Sequence, residues 1–151
     1  MTSRRFLRPA LLAAGLLTAA LALQGCGVVE NIAHKKHSST FPTVTALQQE
    51  SDLDIAWMPG DATDIRVVQS TLAGASDASV LLTSTTNTLD PEICAEVDRR
   101  SGPSYAIEGA PSVYASATVF ACGDWSVIAA SDGWFGWTPN ASAEAARSPA
   151  R

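Results

Sequence analysis

The fold is decided by Val113–Thr138, VYASATVFACGDWSVIAASDGWFGWT, in which runs of strand-forming residues alternate with turn signals. The dipeptide Gly123-Asp124 suits a type II′ loop and Asp132-Gly133 a type I′ loop, the two-residue turns of antiparallel hairpins. The stretch therefore predicts a three-stranded meander, with strands at Val113–Cys122, Trp125–Ser131 and Trp134–Thr138.

The two turns also decide which side chains share a face of the meander. A two-residue loop pairs Cys122 with Trp125, since hairpin register follows loop length. The second loop pairs Ser131 with Trp134 in the same way. The face opposite these residues is almost wholly apolar and is predicted to lie in the core. It carries Val113, Ala115, Ala117, Val119, Ala121, Ser126, Ile128, Ala130, Phe135 and Trp137.

Upstream of the meander the sequence predicts two strands and a helix. Ile65–Gln69 and Ser79–Ser84 are strands by their β-branched and aliphatic content. Asp90-Pro91-Glu92 is typical of a helix start, and Arg99–Pro103 supplies the cations, glycine and proline typical of a helix end. A further short helix is compatible with Thr43–Ser51. We therefore expect an α+β fold, a small single domain that is mainly an antiparallel sheet in the order β-β-α-β-β-β with one packed helix.

The N-terminal segment has the pattern of an export signal. Arg4, Arg5 and Arg8 precede an uncharged run from Pro9 to Gly25, as the basic region of a secretory signal peptide precedes its apolar region. The run ends in Leu23-Gln24-Gly25-Cys26, which resembles the lipobox of bacterial lipoproteins. The resemblance implies diacylglycerol on the Cys26 thiol and cleavage just before it. It places the protein on the extracytoplasmic face of the cell membrane, anchored by lipid.

Other interpretations of this segment stay open. Ala10–Val29 is long enough to span a bilayer of about 30 Å as an uncleaved anchor. Export followed by cleavage without lipid attachment is a second alternative. Ser3–Leu7 also hints at the twin-arginine route, although Arg8 stands where an apolar residue is wanted, so ordinary Sec export is favoured.

Composition limits the partners of the exported part. Removal of residues 1–25 takes away three of ten basic residues and none of the fifteen acidic ones, so the formal net charge moves from −5 to −8. Between Phe41 and Thr138 only three arginines oppose thirteen carboxylates. Because phosphate binding needs clustered Lys and Arg, nucleic acid is not expected as a partner. We expect membrane lipid, through Cys26, and an envelope protein or glycan.

The cysteine count predicts a disulfide. With Cys26 assigned to lipid, Cys94 and Cys122 remain, and an even pair in an exported chain most simply forms a disulfide. A pair of free thiols on a metal is the alternative, but no histidine lies near them in sequence. Because Cys122 points to the Trp125 side of the meander, the bond would pull the helix predicted at Asp90 over that face.

The chain divides into four segments by composition. We predict a signal peptide at 1–25, a lipidated N-terminus and linker at 26–42, a globular domain at 43–138 and a tail at 139–151. The linker is polar and lacks sustained periodicity. The tail is rich in Ala and Ser without a hydrophobic period and is predicted to be disordered.

Few catalytic arrangements fit the domain. Histidine and lysine are absent from Phe41–Arg151, so neither a Ser-His-Asp triad nor a Ser-Lys pair can form. A pair of carboxylates can still hydrolyse a glycosidic bond. The candidates lie near Trp57, and four acids so close in sequence are also typical of a solvated loop. They are Asp52, Asp54, Asp61 and Asp64. We expect no cofactor and no metal.

Aromatic residues of the meander suggest a second type of site. The side of the meander opposite its apolar face mixes aromatic and hydroxyl side chains and is called here the mixed face. Trp125, Trp134 and Tyr114 would share the mixed face and could stack against a sugar or another planar ligand. The alternative is that these side chains belong to the core, where large aromatics are more often found.

The downstream sequence offers one more resemblance. Trp57–Val67 and Asp132–Trp137 are similar to segments of short exported proteins of uncharacterised function from high-GC Gram-positive bacteria, and the resemblance implies no mechanism. Our leading hypothesis is a membrane-anchored, extracytoplasmic lipoprotein with a non-enzymatic binding or envelope-interaction domain. The alternatives are a small carboxylate-dependent glycan hydrolase and an inert surface or spacer protein.

Overall fold

A computed structural model describes residues 35–150. The predicted signal peptide and Cys26 lie outside these residues. The elements in chain order are β1 (Lys36–Thr43), α1 (Val44–Glu50), β2 (Thr63–Ser70), β3 (Ala78–Thr83), β4 (Cys94–Asp98), a 3₁₀ turn (Val113–Ala115), β5 (Thr118–Cys122), β6 (Trp125–Ala130), β7 (Gly133–Thr138) and α2 (Ser142–Ala145). None of the described helices is long and apolar enough to cross a bilayer.

The seven strands form one antiparallel sheet. Its spatial order is β1-β2-β3-β7-β6-β5-β4, so the last of the described strands lies at the centre, against β3. The predicted mainly antiparallel sheet with few helices is confirmed in outline. Strands β1 and β4 form the two edges.

The first hairpin of the meander has the predicted register. Cys122 pairs with Trp125, as a two-residue loop at Gly123-Asp124 requires. Gly123 has a φ of 62°, which glycine adopts without strain.

The second hairpin is displaced by one residue from the prediction. Ala130 pairs with Gly133, so Ser131-Asp132 is the loop and Gly133 belongs to β7. The reason is a close approach, because a Cβ at Gly133 would overlap the backbone carbonyl oxygen of Leu82 on β3. Glycine is therefore needed in the strand rather than in the turn. The displacement keeps each side chain on its predicted face, since pairing partners move by two residues.

The strand predicted over Val113–Cys122 is wrong in its first half. Val113–Ala115 is a 3₁₀ turn, and β5 begins at Thr118. Its neighbour β4 has five residues and ends opposite Thr118, so a longer β5 would leave backbone groups without a ladder partner. Val113 is nevertheless buried, as predicted.

The helix predicted to start at Asp90 is wrong. The capping signals build a single turn, in which the Asp90 carbonyl oxygen accepts from the N–H groups of Ile93 and Cys94. The Asp90 side chain also accepts from the Glu92 N–H. Cys94–Asp98 then continues as β4 and pairs with β5. Pairing along the sheet therefore overrides the local signals at both ends of this segment.

The packed helix lies instead near the start of the described residues. Thr43 caps α1, with its Oγ1 accepting from the Ala46 N–H at 3.3 Å, and Leu47 is completely buried. The short helix considered over Thr43–Ser51 is thus confirmed. The linker predicted to extend to residue 42 is wrong from Lys36 onward, because β1 pairs along β2 and buries Phe41.

Both faces of the sheet are covered. One face carries Trp125 and Trp134 and is covered by α1 and the segment after it, whose buried residues are Ile55, Trp57, Met58 and Ala62. The other face carries Phe135 and Trp137 and packs against the segment that connects β4 to β5, through Tyr105, Ile107, Ala110 and Val113. The predicted apolar face of the meander is therefore core over most of its length, but Ala115 and Ala117 are exposed because they precede β5. The mixed face is covered as well, by the N-terminal part of the domain rather than by a helix at Asp90.

The tail predicted to be disordered is ordered through Ala150. Glu144 on α2 is 1% exposed, and its carboxylate accepts five hydrogen bonds, an arrangement called here the Glu144 pin. The donors are the N–H groups of Arg100, Ser101 and Ala141 and the hydroxyls of Ser101 and Ser126. The prediction was wrong because this segment is held by polar contacts, which leave no hydrophobic period in the sequence.

Candidate functional site

The predicted disulfide is confirmed. Cys94 and Cys122 lie directly opposite each other on β4 and β5, with Cα atoms 4.3 Å apart, and both are buried. The bond fastens the edge strand β4 to the meander. Cys94 and Cys122 are therefore structural residues.

The predicted stacking platform is not assembled. Trp125 and Trp134 are 3% and 4% exposed, and the Trp134 indole N–H donates to the Thr86 carbonyl oxygen. Tyr114 is 76% exposed on the 3₁₀ turn, with the Arg99 guanidinium 5.2 Å from its ring centre. The prediction failed because Tyr114 lies outside β5, and the other two aromatics belong to the core.

The four acids near Trp57 do not converge on one site. Asp61 binds the loop after β3, where its carboxylate accepts from Ser84, Thr85 and Thr86. These hydrogen bonds, that of the Ser84 hydroxyl foremost, hold the pKa of the Asp61 carboxyl well below its usual range. Asp61 is thus a poor proton donor at neutral pH. The predicted carboxylate set is wrong as a single site, since Asp64 lines a different hollow from Asp52 and Asp54.

Asp52 and Asp54 lie on a cleft at one end of the sheet, called here the acidic cleft. Its volume is about 440 Å³. Four separate parts of the chain form it: the end of α1 with the residues after it, the end of β2 with the loop to β3, the loop before β6 with the first residue of β6, and the end of β7. The lining includes five carboxylates and no Lys, Arg or His; the acids are Glu50, Asp52, Asp54, Asp77 and Asp124.

Hydrogen bonds fix the rim of the acidic cleft. The chain leaves α1 at Ser51, whose hydroxyl accepts from the Leu53 N–H. The Asp54 carboxylate accepts from the Ala56 N–H at 3.2 Å, and the Asp77 carboxylate accepts from the Ser104 hydroxyl at 2.7 Å. Asp54 and Asp77 are therefore positioned by short-range and long-range contacts respectively.

The carboxylates of the acidic cleft form no ion pair within residues 35–150. Across residues 35–150, a single ion pair within 4 Å is formed, between Arg100 and Asp98, and neither residue lines the cleft. The carboxylates of Glu50, Asp52 and Asp124 also make no hydrogen bond to a described residue. The cleft is thus a concentration of negative charge that no ion pair among the described residues neutralises.

Two deeply buried residues complete the lining. Trp125 is 3% exposed and Thr138 6% exposed, and both line the cleft. The indole N–H of Trp125 and the hydroxyl of Thr138 make no hydrogen bond within the described part of the chain. They also differ from the Trp57 indole N–H, which is sealed from solvent without a partner. A ligand in the cleft would therefore lie against both residues.

The position of Trp125 is set by its packing. Its ring centre lies 5.7 Å from that of Trp57, and the Trp57 ring in turn packs against β7 at Gly136. A Cβ at Gly136 would come within 2.7 Å of Trp57 Cζ2. The glycine therefore permits the close packing that holds the two indoles, and with them one wall of the cleft.

Sequence reasoning found part of this cleft. It singled out Asp52, Asp54 and Trp125, but it assigned them to two different sites. Asp77 and Asp124 gave no local signal beyond their turns, because the fold alone brings these segments together. Within the described residues no group of three or more His, Cys, Asp or Glu side chains is arranged to hold a metal ion.

Comparison with protein-family models, with curated proteins and with solved structures finds no match to this chain.

Proposed function

We propose that this chain is a lipid-anchored protein of the extracytoplasmic membrane face and that its domain binds a ligand without catalysing a reaction. The anchor is supported by the basic and apolar segments that precede Leu23-Gln24-Gly25-Cys26. The binding function is supported by one observation, the acidic cleft with two unpartnered polar groups on its lining. Clefts of this size that combine a few polar groups with an aromatic wall are typical of ligand sites.

The connection between Cys26 and the domain would keep the cleft near the bilayer. Nine residues lead from Cys26 to Lys35, which span at most about 30 Å when extended. Strand β1 begins opposite Ser70, and Ser70 lines the cleft. The acidic cleft would therefore lie at the end of the sheet where the chain enters from the anchor, open to components of the inner envelope.

The anchor is tested by intact mass and membrane partition of the wild type and of Cys26→Ser. We expect the wild type in the membrane fraction, with the mass of the chain from Cys26 plus its acyl groups. Cys26→Ser should lack the lipid mass and should not be cleaved at that position. If both proteins stay equally membrane-bound at full precursor mass, the segment is a transmembrane anchor and the lipid proposal is wrong.

A carboxylate-dependent glycan hydrolase is the second candidate function. The observation that favours it is that Asp52, Asp54 and Asp124 line one cleft, and two carboxylates suffice for glycoside hydrolysis. It predicts glycan cleavage by the wild type and loss of cleavage in Asp52→Asn or Asp54→Asn. Binding without turnover in the wild type would exclude it for the glycan tested.

A further inference from the structure

We propose that the acidic cleft binds an amino sugar with a free, protonated amine, in the form of a short oligosaccharide. This inference rests on the proposed binding function and names the class of ligand. It combines two independent features of the cleft, its unneutralised charge and its unpartnered hydrogen-bonding groups. Neither feature is accounted for by a contact within the described protein.

The charge of the cleft selects a cation. Five carboxylates line a volume of about 440 Å³, and no basic side chain lies among them. Like charges held at this density repel one another, and a ligand that carries ammonium groups relieves the repulsion. Glu50, Asp52 and Asp124 keep both carboxylate oxygens free to accept from an ammonium group.

Trp125 and Thr138, two buried residues on the lining whose polar side-chain groups make no hydrogen bond within residues 35–150, select a ligand that also carries oxygen. The Trp125 indole N–H is a donor only, so it needs an acceptor and cannot bind an ammonium group. The Thr138 hydroxyl can donate or accept. A simple polyamine offers no acceptor to the indole, whereas a sugar offers hydroxyl and ring oxygens beside its amine. The combination of acidic rim and indole donor therefore fits an aminated carbohydrate.

A metal ion fits the cleft less well. Calcium needs six to eight oxygen ligands at about 2.3–2.6 Å, and the described acids are not grouped to converge in that way. The carboxylates instead come from three segments around a hollow of the volume usual for small organic ligands. Because the negative charges of the carboxylates are spread over such a volume, they suit ammonium groups carried on successive sugar rings.

The ligand class is tested with a matched pair of probes on the full chain in mild nonionic detergent. Glucosamine trimer carries free amines, and N-acetylglucosamine trimer has the same skeleton without charge. By titration calorimetry at low salt, we expect saturable binding of glucosamine trimer, at least about tenfold tighter than binding of the acetylated trimer. We also expect the affinity to fall as salt screens the carboxylates. Equal affinities for the two trimers, or binding of neither, would overturn the proposal.

The site is tested with two double variants that remove the same charge. Asp52→Asn with Asp54→Asn changes the cleft, and the Asn at 54 can still accept from the Ala56 N–H. Glu96→Gln with Asp98→Asn changes two acids of the same spacing on edge strand β4, outside the cleft. We expect about a tenfold loss of affinity from the first pair and less than a twofold change from the second. Equal losses from both pairs would refute a specific site.

A direct readout is the indole N–H resonance of Trp125, which Trp125→Phe identifies by its disappearance. Glucosamine trimer should shift this resonance, while the Trp137 indole N–H, bound to the Ser101 hydroxyl, should stay in place. An unmoved Trp125 signal at saturation would contradict the assigned contact. Membrane partition separates the two proposals. A lipidated wild type that binds neither trimer refutes the ligand class alone, and an unlipidated chain that binds glucosamine trimer refutes the anchor alone.

Discussion

Replacing Glu144 by glutamine should destabilise the domain, although the two side chains have the same shape. Oε1 of the glutamate accepts from the N–H groups of Arg100 and Ser101, while Oε2 accepts from the Ala141 N–H and two hydroxyls. Whichever oxygen is replaced, the new NH₂ group faces at least one backbone N–H and cannot accept a hydrogen bond from it. The variant therefore leaves a buried donor without a partner.

The size of the effect follows from the hydrogen bonds that each variant removes. A buried donor without a partner costs about 1–3 kcal/mol, so we expect Glu144→Gln to lower the free energy of unfolding by that amount. Glu144→Ala removes all five hydrogen bonds and should lower it by about 3–5 kcal/mol, because several N–H groups lose their acceptor together. The larger change should also release α2, since the pin connects it to the segment after β4.

Urea unfolding followed by tryptophan fluorescence measures both variants. Glu108→Gln is the matched control, because Glu108 is exposed and its carboxylate has no hydrogen bond to a described residue; its change should stay within about 0.5 kcal/mol. A value for Glu144→Gln as small as that of the control would show that the buried carboxylate is not needed to satisfy its donors. The reasoning from hydrogen-bond geometry would then be refuted.

Three further predictions concern stability. Burial raises the pKa of the Glu144 carboxyl, but its hydrogen bonds outweigh burial and lower it. The higher unfolding free energy of wild type relative to Glu144→Gln should therefore persist above the unfolded pKa of about 4.3 and disappear as pH falls through the folded value. A difference in urea midpoint that does not change with pH would contradict this. Cys94→Ala with Cys122→Ala opens a loop of 28 residues and should lower the unfolding free energy by about 3.6 kcal/mol on the chain-entropy estimate. An unchanged urea midpoint would disprove this loss of stability. Gly136→Ala forces a Cβ against Trp57 and should lower the unfolding free energy by about 1–3 kcal/mol in thermal melts. Gly60→Ala, which has open space at its Cβ, should change the unfolding free energy little. Equal melting temperatures for the two variants would argue against the close packing.

The C-terminal meander could be predicted because its signals are local. Each loop residue and each alternating side chain lies within a few positions of its partner. The local sequence pattern therefore predicts how the strands of the meander pair. The disulfide could be predicted from the cysteine count and the export signal together. The position of Gly133 could not, because the close approach that requires glycine comes from Leu82, about fifty residues earlier in the chain.

The Asp90 segment shows where local signals fail. Its capping residues form the turn that they favour, but the residues after it gain a ladder with β5 and a disulfide in the sheet. The acidic cleft was hidden for a related reason. Its carboxylates come from three segments, each of which alone has the composition of a solvated turn.

The central position of β7 bears on how the chain acquires its structure. Strand β3 has β2 on one side, and its other side stays open until residues 133–138 have been synthesised and can pair with it. A nascent or truncated chain that stops before Gly133 would expose the apolar strand Ala78–Thr83 along an unpaired edge, which is a template for association with other chains. Proteolytic loss of β7 should therefore produce an aggregating fragment rather than a smaller working domain, because the sheet is complete only when β7 fills the gap between β3 and β6.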